Sequence, residues 1–182
     1  LAPKNELTTY SLCVQNGPMT PVKHMAVNVG APGDWRDDGG ALWFSYPHPP
    51  DSRWYDYGVA FKLSEEFYPG HTYFSRNFQD PAFEGVEQSW VFASGCAGWK
   101  KCSVPLIGNN QKPGSYTVRL YLGKKTGAQP GECVFSVELQ GKTLAKKVDV
   151  AKKAGNKPGL IKEFTGIRVE NTLEIQLTTL KE

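Results

Sequence analysis

The clearest order along this chain is a period of two. In SYTVRLYL, residues 115–122, apolar Tyr116, Val118, Leu120 and Leu122 alternate with Thr117, Arg119 and Tyr121, as in a strand with one face on a core. CVFSVELQ, residues 133–140, repeats the logic, with Cys133, Phe135, Val137 and Leu139 expected inside and Ser136, Glu138 and Gln140 in water. Gly141 then supplies a turn into KTLAKKVDV, which predicts a hairpin. LIKEFTGIRV and TLEIQL read as a last strand pair joined at Glu170 and Asn171, with Leu173, Ile175 and Leu177 inward and Gly166 marking a bulge. VAKKAGNKPG between them holds at most one helical turn ended by Gly155, too short and too polar for a packed helix.

The first half is less regular. HMAVNVG, ALWFSYP, YGVAFKL and SWVFAS are four further strand candidates divided by loops rich in Pro and Gly. Short strands at this spacing predict an all-β fold, an antiparallel β-sandwich. Residues 1–22, with Pro3, Pro18 and Pro21, read as a lead-in segment, and residues 23–182 as one sandwich domain. Composition changes this picture little: 40% hydrophobic and 21% charged residues suit a globular fold, and 19 Gly with 13 Pro favour strands and turns. The net charge is +3 with the lysines spread over the second half, so no basic stripe marks a nucleic-acid surface. No apolar run approaches the roughly 20 residues that cross a bilayer, so no membrane span is expected and any export signal is expected to lie outside the chain.

Four cysteines sharpen the compartment. In SGCAGWKKCS, Cys96 and Cys102 stand close enough to close a small loop, and no His or third Cys stands at zinc-like spacing, so a Cys96–Cys102 disulfide is expected and with it an exported protein. Two readings stay open for Cys133: a second bridge to Cys13, or a buried thiol on the apolar side of its strand.

In its order of motifs the chain resembles the malectin-like carbohydrate-binding family. The resemblance rests on YTVRLYL, CVFSVELQGK, KKVDV and AGNKPGLIKEF, with VNVGAPGDWRDDGGALWFSYP as the opening strand and loop and SWVFASG through SVPL before YTVRLYL, over roughly residues 23 to 180. It implies a jelly-roll, galactose-binding-like sandwich that binds sugars without catalysis in a pocket of loops at one end. In the bacterial branch it also implies an exported, extracellular or periplasmic, multidomain protein, often beside β-propellers or catalytic domains. The family's pocket residues carry over poorly: its stacking Tyr-Phe pair falls on Thr126 and Gly127, a further aromatic falls near Cys96 and Ala97 with Trp99 close by, and Tyr57 is a weak match to an early pocket Tyr. Its acidic ligand after the last matched strand has no counterpart, because the chain stops at Glu182 before the family's usual closing strand, which leaves a sheet edge to be covered.

A sugar site needs flat aromatic faces for C–H groups and polar groups for hydroxyls. GDWRDDGGALWFSYPHPPDSRWYDYG supplies both, so the candidate ligand-binding residues are Asp34, Trp35, Asp37, Arg53, Trp54, Tyr57 and, from its own loop, Trp99. Trp43 reads instead as core, and Asp37, Asp38, Gly39 and Gly40 also read as a plain turn. Asp34, Asp37 and Asp38 could hold calcium, although without the alternation of an EF-hand, and no other cofactor is indicated. No G-x-S-x-G, H-E-x-x-H or phosphate-loop motif is present, His24, His48 and His71 stand apart, and Asp80 with Glu84 is an acid pair of a kind any domain offers. The expectation is therefore a non-enzyme that stacks loop aromatics on a neutral glycan. The alternative is a structural module whose aromatics pack on a neighbouring domain or subunit.

Overall fold

The structure, a computed structural model, describes residues 20–47, 63–77 and 87–180. Among the described residues ten strands run in chain order: β1 (Ala26–Val29), β2 (Trp35–Arg36), β3 (Leu42–Tyr46), β4 (Ser64–Ser75), β5 (Ser94–Pro105), β6 (Gly114–Gly123), β7 (Val134–Leu139), β8 (Lys142–Asp149), β9 (Gly159–Val169) and β10 (Thr172–Thr179). A 3-10 helix spans Ser89–Ala93 and one short α-helix, α1, spans Val150–Ala154. The strands form a five-stranded sheet in the order β4-β5-β10-β7-β8, a β6-β9 pair, and a small sheet β1-β3-β2. The expected all-β sandwich is what forms, with one departure: β1 runs parallel to β3.

The two larger sheets face each other across an aliphatic core. Val118 on β6 and Ile167 and Val169 on β9 meet Val137, Leu139, Val148 and Leu173 from the five-stranded sheet. The period-two reading of β6 holds, since Val118 is buried while Thr117 and Arg119 are exposed. The β7–β8 hairpin also forms, turning on Gln140 and Gly141, whose φ of 52 and 70 are the paired positive values a tight two-residue hairpin demands. Gly166, at φ 70, sits in the expected bulge, where the β6–β9 register shifts between Tyr116 and Val118.

Four expectations fail for physical reasons. SWVFAS is a 3-10 turn rather than a strand, because its single turn tucks Val91, Phe92 and Ala93 inward together, which an extended segment would place on opposite faces. β9 and β10 do not pair: the chain crosses at Glu170 and Asn171 from one layer to the other, so β9 joins β6 and β10 joins β5 and β7. Ser136 does not meet water but is buried on β7 between its two neighbours. The turn of α1 does pack, burying Val150, Ala151 and Ala154 while Lys152 and Lys153 point outward, with Asp149 capping Lys152 N at 3.0 Å and Gly155 ending it. The strand candidate YGVAFKL lies almost wholly outside the described residues, as does the lead-in up to residue 19.

The expected Cys96–Cys102 disulfide is overturned. Cys96, Cys102 and Cys133 are all free thiols. Cys96 and Cys102 lie on the same strand, β5, six residues apart. At about 3.3 Å per residue that separation approaches 20 Å, less what the β4–β5 bulges take up, whereas a bridge needs Cα atoms within roughly 7 Å. Cys13 lies outside the described residues.

Candidate functional site

The aromatic opening stretch is organised around Asp37. Its backbone N–H donates to Ala41 O at 3.0 Å and its C=O accepts from Gly40 N at 2.9 Å, closing the Asp-Asp-Gly-Gly turn between β2 and β3. Its Oδ1 accepts from Ala41 N at 2.9 Å, and its Oδ2 accepts from Trp43 Nε1 and Gln88 Nε2, both at 3.0 Å. The Trp43 indole first, then Ala41, holds this carboxyl below its ordinary 3.8. Tyr121 Oη in turn donates to Gln88 Oε1, so the turn, the 3-10 helix and β6 are tied through side-chain amides and hydroxyls. Asp34 makes a second clasp, its Oδ1 accepting from Ser45 N at 2.8 Å and Ser45 Oγ at 2.9 Å.

These bonds build an aromatic stack with a buried base and a partly exposed top. Trp43 is the base, 6% exposed in a cluster with Ala26 and Val91. Trp90 meets it edge-on at 5.3 Å and 77°, and Tyr121 does so at 5.3 Å and 83°. Such edge-to-face contacts are worth about 0.5–1.5 kcal/mol each beyond burial. Trp35, register partner of Trp43 across β2 and β3, stands on top at 5.9 Å from Trp90, tilted by 48°. It is 47% exposed, while Trp90 is half-buried. Arg36, exposed beside it, donates from Nη1 to Gly40 O at 2.6 Å, and Asp38 is exposed on the same turn. At the far side of the 3-10 helix, Arg76 donates through its backbone to Ala93 O at 2.8 Å and through Nη1 to Thr126 Oγ1 at 2.7 Å.

The structure thus brings together Asp34, Trp35 and Asp37 of the expected residues. It does not bring in Trp99, which lies on β5 opposite Phe67 in the five-stranded sheet, with its Nε1 buried and without a hydrogen-bond partner. Arg53, Trp54 and Tyr57 lie outside the described residues, as do His48, Asp80 and Glu84. The residue missed is Trp90, hidden inside a segment read as a strand. Its signal in the sequence was weak, a lone aromatic two residues after Gln88.

Calcium finds no matching geometry in this turn. Asp34 and Asp37 spend oxygens on separate partners, and among the described residues no group of three or more His, Cys, Asp or Glu converges. His24 is exposed, and His71 stacks on Phe67 at 4.1 Å and 14° rather than facing an acid or nucleophile. A cleft of 1690 Å³ opens between the layers, reaching from Asp37, Trp43 and Gln88 past half-buried Leu120, Leu122, Ile175 and Leu177.

Comparison with known proteins now places the fold. Residues 103–182 match the malectin domain family. The likeness of fold to solved structures extends further along the chain. The chain superposes on the β-glucuronidase of Bacteroides uniformis with a TM-score of 0.59 at 14% identity, over 87% of this chain and 16% of that one. The extracellular domain of ANXUR2 from Arabidopsis thaliana gives 0.54 at 16% identity, over 85% and 36%. The ANX2 ectodomain of the same plant gives 0.51 at 17% identity, also over 85% and 36%. At these identities the likeness is one of fold alone, and the chain spans about a sixth to a third of the length of the structures it matches. No curated protein matches it. Malectin-like domains are binding modules, and no helix among the described residues is long and apolar enough to cross a membrane.

Proposed function

We propose that this chain is a non-catalytic carbohydrate-binding module that lays a neutral glycan on the Trp35–Trp90 face. The observation that carries the reading is Trp35 itself: a large indole left 47% exposed while three acceptor bonds to Asp37 hold rigid the turn on which it stands. A rigid aromatic face loses little conformational freedom on contact with a sugar ring, which is where weak C–H packing gains its affinity. Arg36 and Asp38 flank that face and are the hydroxyl partners; Asp34 and Asp37 act beneath it, orienting the platform rather than touching the ligand. Arg53, Trp54 and Tyr57 extend the proposed ligand set along the following segment. The domain is taken as residues 23–182 of an exported, extracellular or periplasmic protein, for which the malectin match and the extracellular origin of the two plant neighbours are the support. A second reading, a structural module seated on a neighbouring domain or subunit, draws on a different fact: in each matched structure this fold is a minor part of a longer chain.

Titration of a panel of neutral oligosaccharides against intrinsic tryptophan emission tests the first reading. At least one sugar gives a saturable change that Trp35→Ala reduces tenfold or more in affinity. A flat response across the panel, or binding indifferent to Trp35→Ala, moves the function to the second.

A further inference from the structure

Six of the lysines fall in one short segment that runs along the outer strand β8 and on through α1. β8 is the outer strand of the five-stranded sheet, and α1 continues from it around the end of the domain. Residues 142–157 hold six lysines against one aspartate, a net +5, while the whole chain is only +3 and everything outside this segment therefore sums to −2. All six, Lys142, Lys146, Lys147, Lys152, Lys153 and Lys157, are exposed. None belongs to an ion pair among the described residues. Asp149, already counted in that sum, pairs with none of them; its two oxygens accept from Lys152 N at 3.0 Å and Gly131 N at 2.8 Å.

The edge is also irregular in a directed way. Register along β7–β8 shifts twice: Lys146 and Lys147 together oppose Ser136, with Lys147 at φ 50, and Leu144 is the extra residue between the Ala145 and Thr143 pairings. Bulges re-aim side chains, and here Leu144 is turned out to 43% exposure, an apolar residue on a strand that also carries exposed Lys142, Lys146 and Lys147.

Lysines and bulges on an outer strand protect it from edge-to-edge pairing, and for Lys142, Lys146 and Lys147 that role suffices. It does not reach Lys152, Lys153 and Lys157, which lie beyond the strand, the first two in the last turn of α1. The segment 142–157 contains no aromatic residue, so neither sugar rings nor unpaired bases find a stacking surface there. A single exposed leucine is too little apolar area to enter a lipid surface, but it is the right scale for an anchor in a protein pocket. We infer that this edge docks an acidic protein surface, with Leu144 as an apolar anchor on the strand and the lysines of strand and helix as charges that steer approach.

The test uses the full chain and a ten-residue acidic peptide of alternating Glu and Leu, with a Ser-Leu peptide as neutral control, followed by fluorescence anisotropy of the labelled peptides. The acidic peptide binds at 50 mM salt, loses at least tenfold in affinity at 300 mM, and loses at least tenfold with Lys146→Glu/Lys152→Glu. Leu144→Ser weakens binding threefold or more while leaving the salt slope unchanged, which separates an anchored dock from loose charge attraction. The inference is overturned if the acidic peptide binds no better than the neutral one, if Lys146→Glu/Lys152→Glu leaves its affinity intact, or if a sulfated oligosaccharide, duplex DNA or phosphatidylserine vesicles compete more tightly than the peptide. Wild-type far-ultraviolet circular dichroism in both variants guards against misfolding. Because Trp35 plays no part, loss of sugar binding in Trp35→Ala and loss of peptide binding in the lysine variant are independent results.

Discussion

Replacing Trp43 and Trp35 in turn separates foundation from platform, although the two residues face each other in register across β2 and β3. Trp43→Ala removes a 6% exposed indole from between Trp90, Tyr121 and Val91, leaving a cavity walled by rings that cannot collapse while Gln88 and Asp37 hold their backbones. Large-to-small changes of this kind cost about 3–5 kcal/mol. In a domain of this size about 1 kcal/mol lowers Tm by about 2–4 °C, so the melting point falls by roughly 6–20 °C. Trp35→Ala removes a 47% exposed ring whose tilted contact with Trp90 contributes about 0.5–1.5 kcal/mol, and Tm falls by less than in Trp43→Ala. Differential scanning calorimetry of both variants, with Trp43→Phe as a milder step should Trp43→Ala fail to fold, gives the ratio directly. Equal losses in the two alanine variants, or a greater loss in Trp35→Ala, would refute the assignment of Trp43 as base and Trp35 as open face.

Three further outcomes follow from single contacts. The Asp37 carboxyl is held below 3.8 in the fold by Trp43 and then Ala41, so the unfolded chain takes up its proton first. Its stabilisation is therefore complete well above that value and is lost as pH falls through it; Tm followed from pH 6 to pH 3 drops more steeply in wild type than in Asp37→Asn. Cys96 and Cys102, with thiols pushed up to about 11 and about 12 mainly by burial, stay protonated at pH 8 and alkylate slowly in the native state. In denaturant without reductant both take up iodoacetamide, and mass spectrometry that finds either of them bridged contradicts the strand geometry. Gly30, at φ 73, leaves no room for a Cβ, which would come within 2.6 Å of Gly95 O, so Gly30→Ala costs more than about 2 kcal/mol in urea denaturation.

What the sequence disclosed was what repeats locally. β6 was legible because it keeps its period on one buried face, and the Gly141 and Gly166 positions were legible because backbone sterics leave few residues able to adopt a positive φ. What stayed hidden was pairing at a distance. Cys96 and Cys102 are near in sequence and looked bridgeable, yet an extended strand carries them apart. Ser136 looked like an outward residue because alternation cannot reveal that β7 is flanked on both sides. In the site, Trp35 and the Asp37 turn were legible from indoles and acids on a glycine-rich loop. Trp90 was not, because its place beside Trp35 depends on a contact more than fifty residues away in the chain.

The most direct test of the glycan face is two-dimensional NMR of the five indole N–H resonances during titration with a neutral oligosaccharide that binds. The Trp35 and Trp90 signals move and saturate together, Trp43 moves less, and Trp99, on the other sheet, stays in place. Saturable movement of Trp99 with Trp35 and Trp90 unchanged would put the sugar elsewhere and contradict the proposed function.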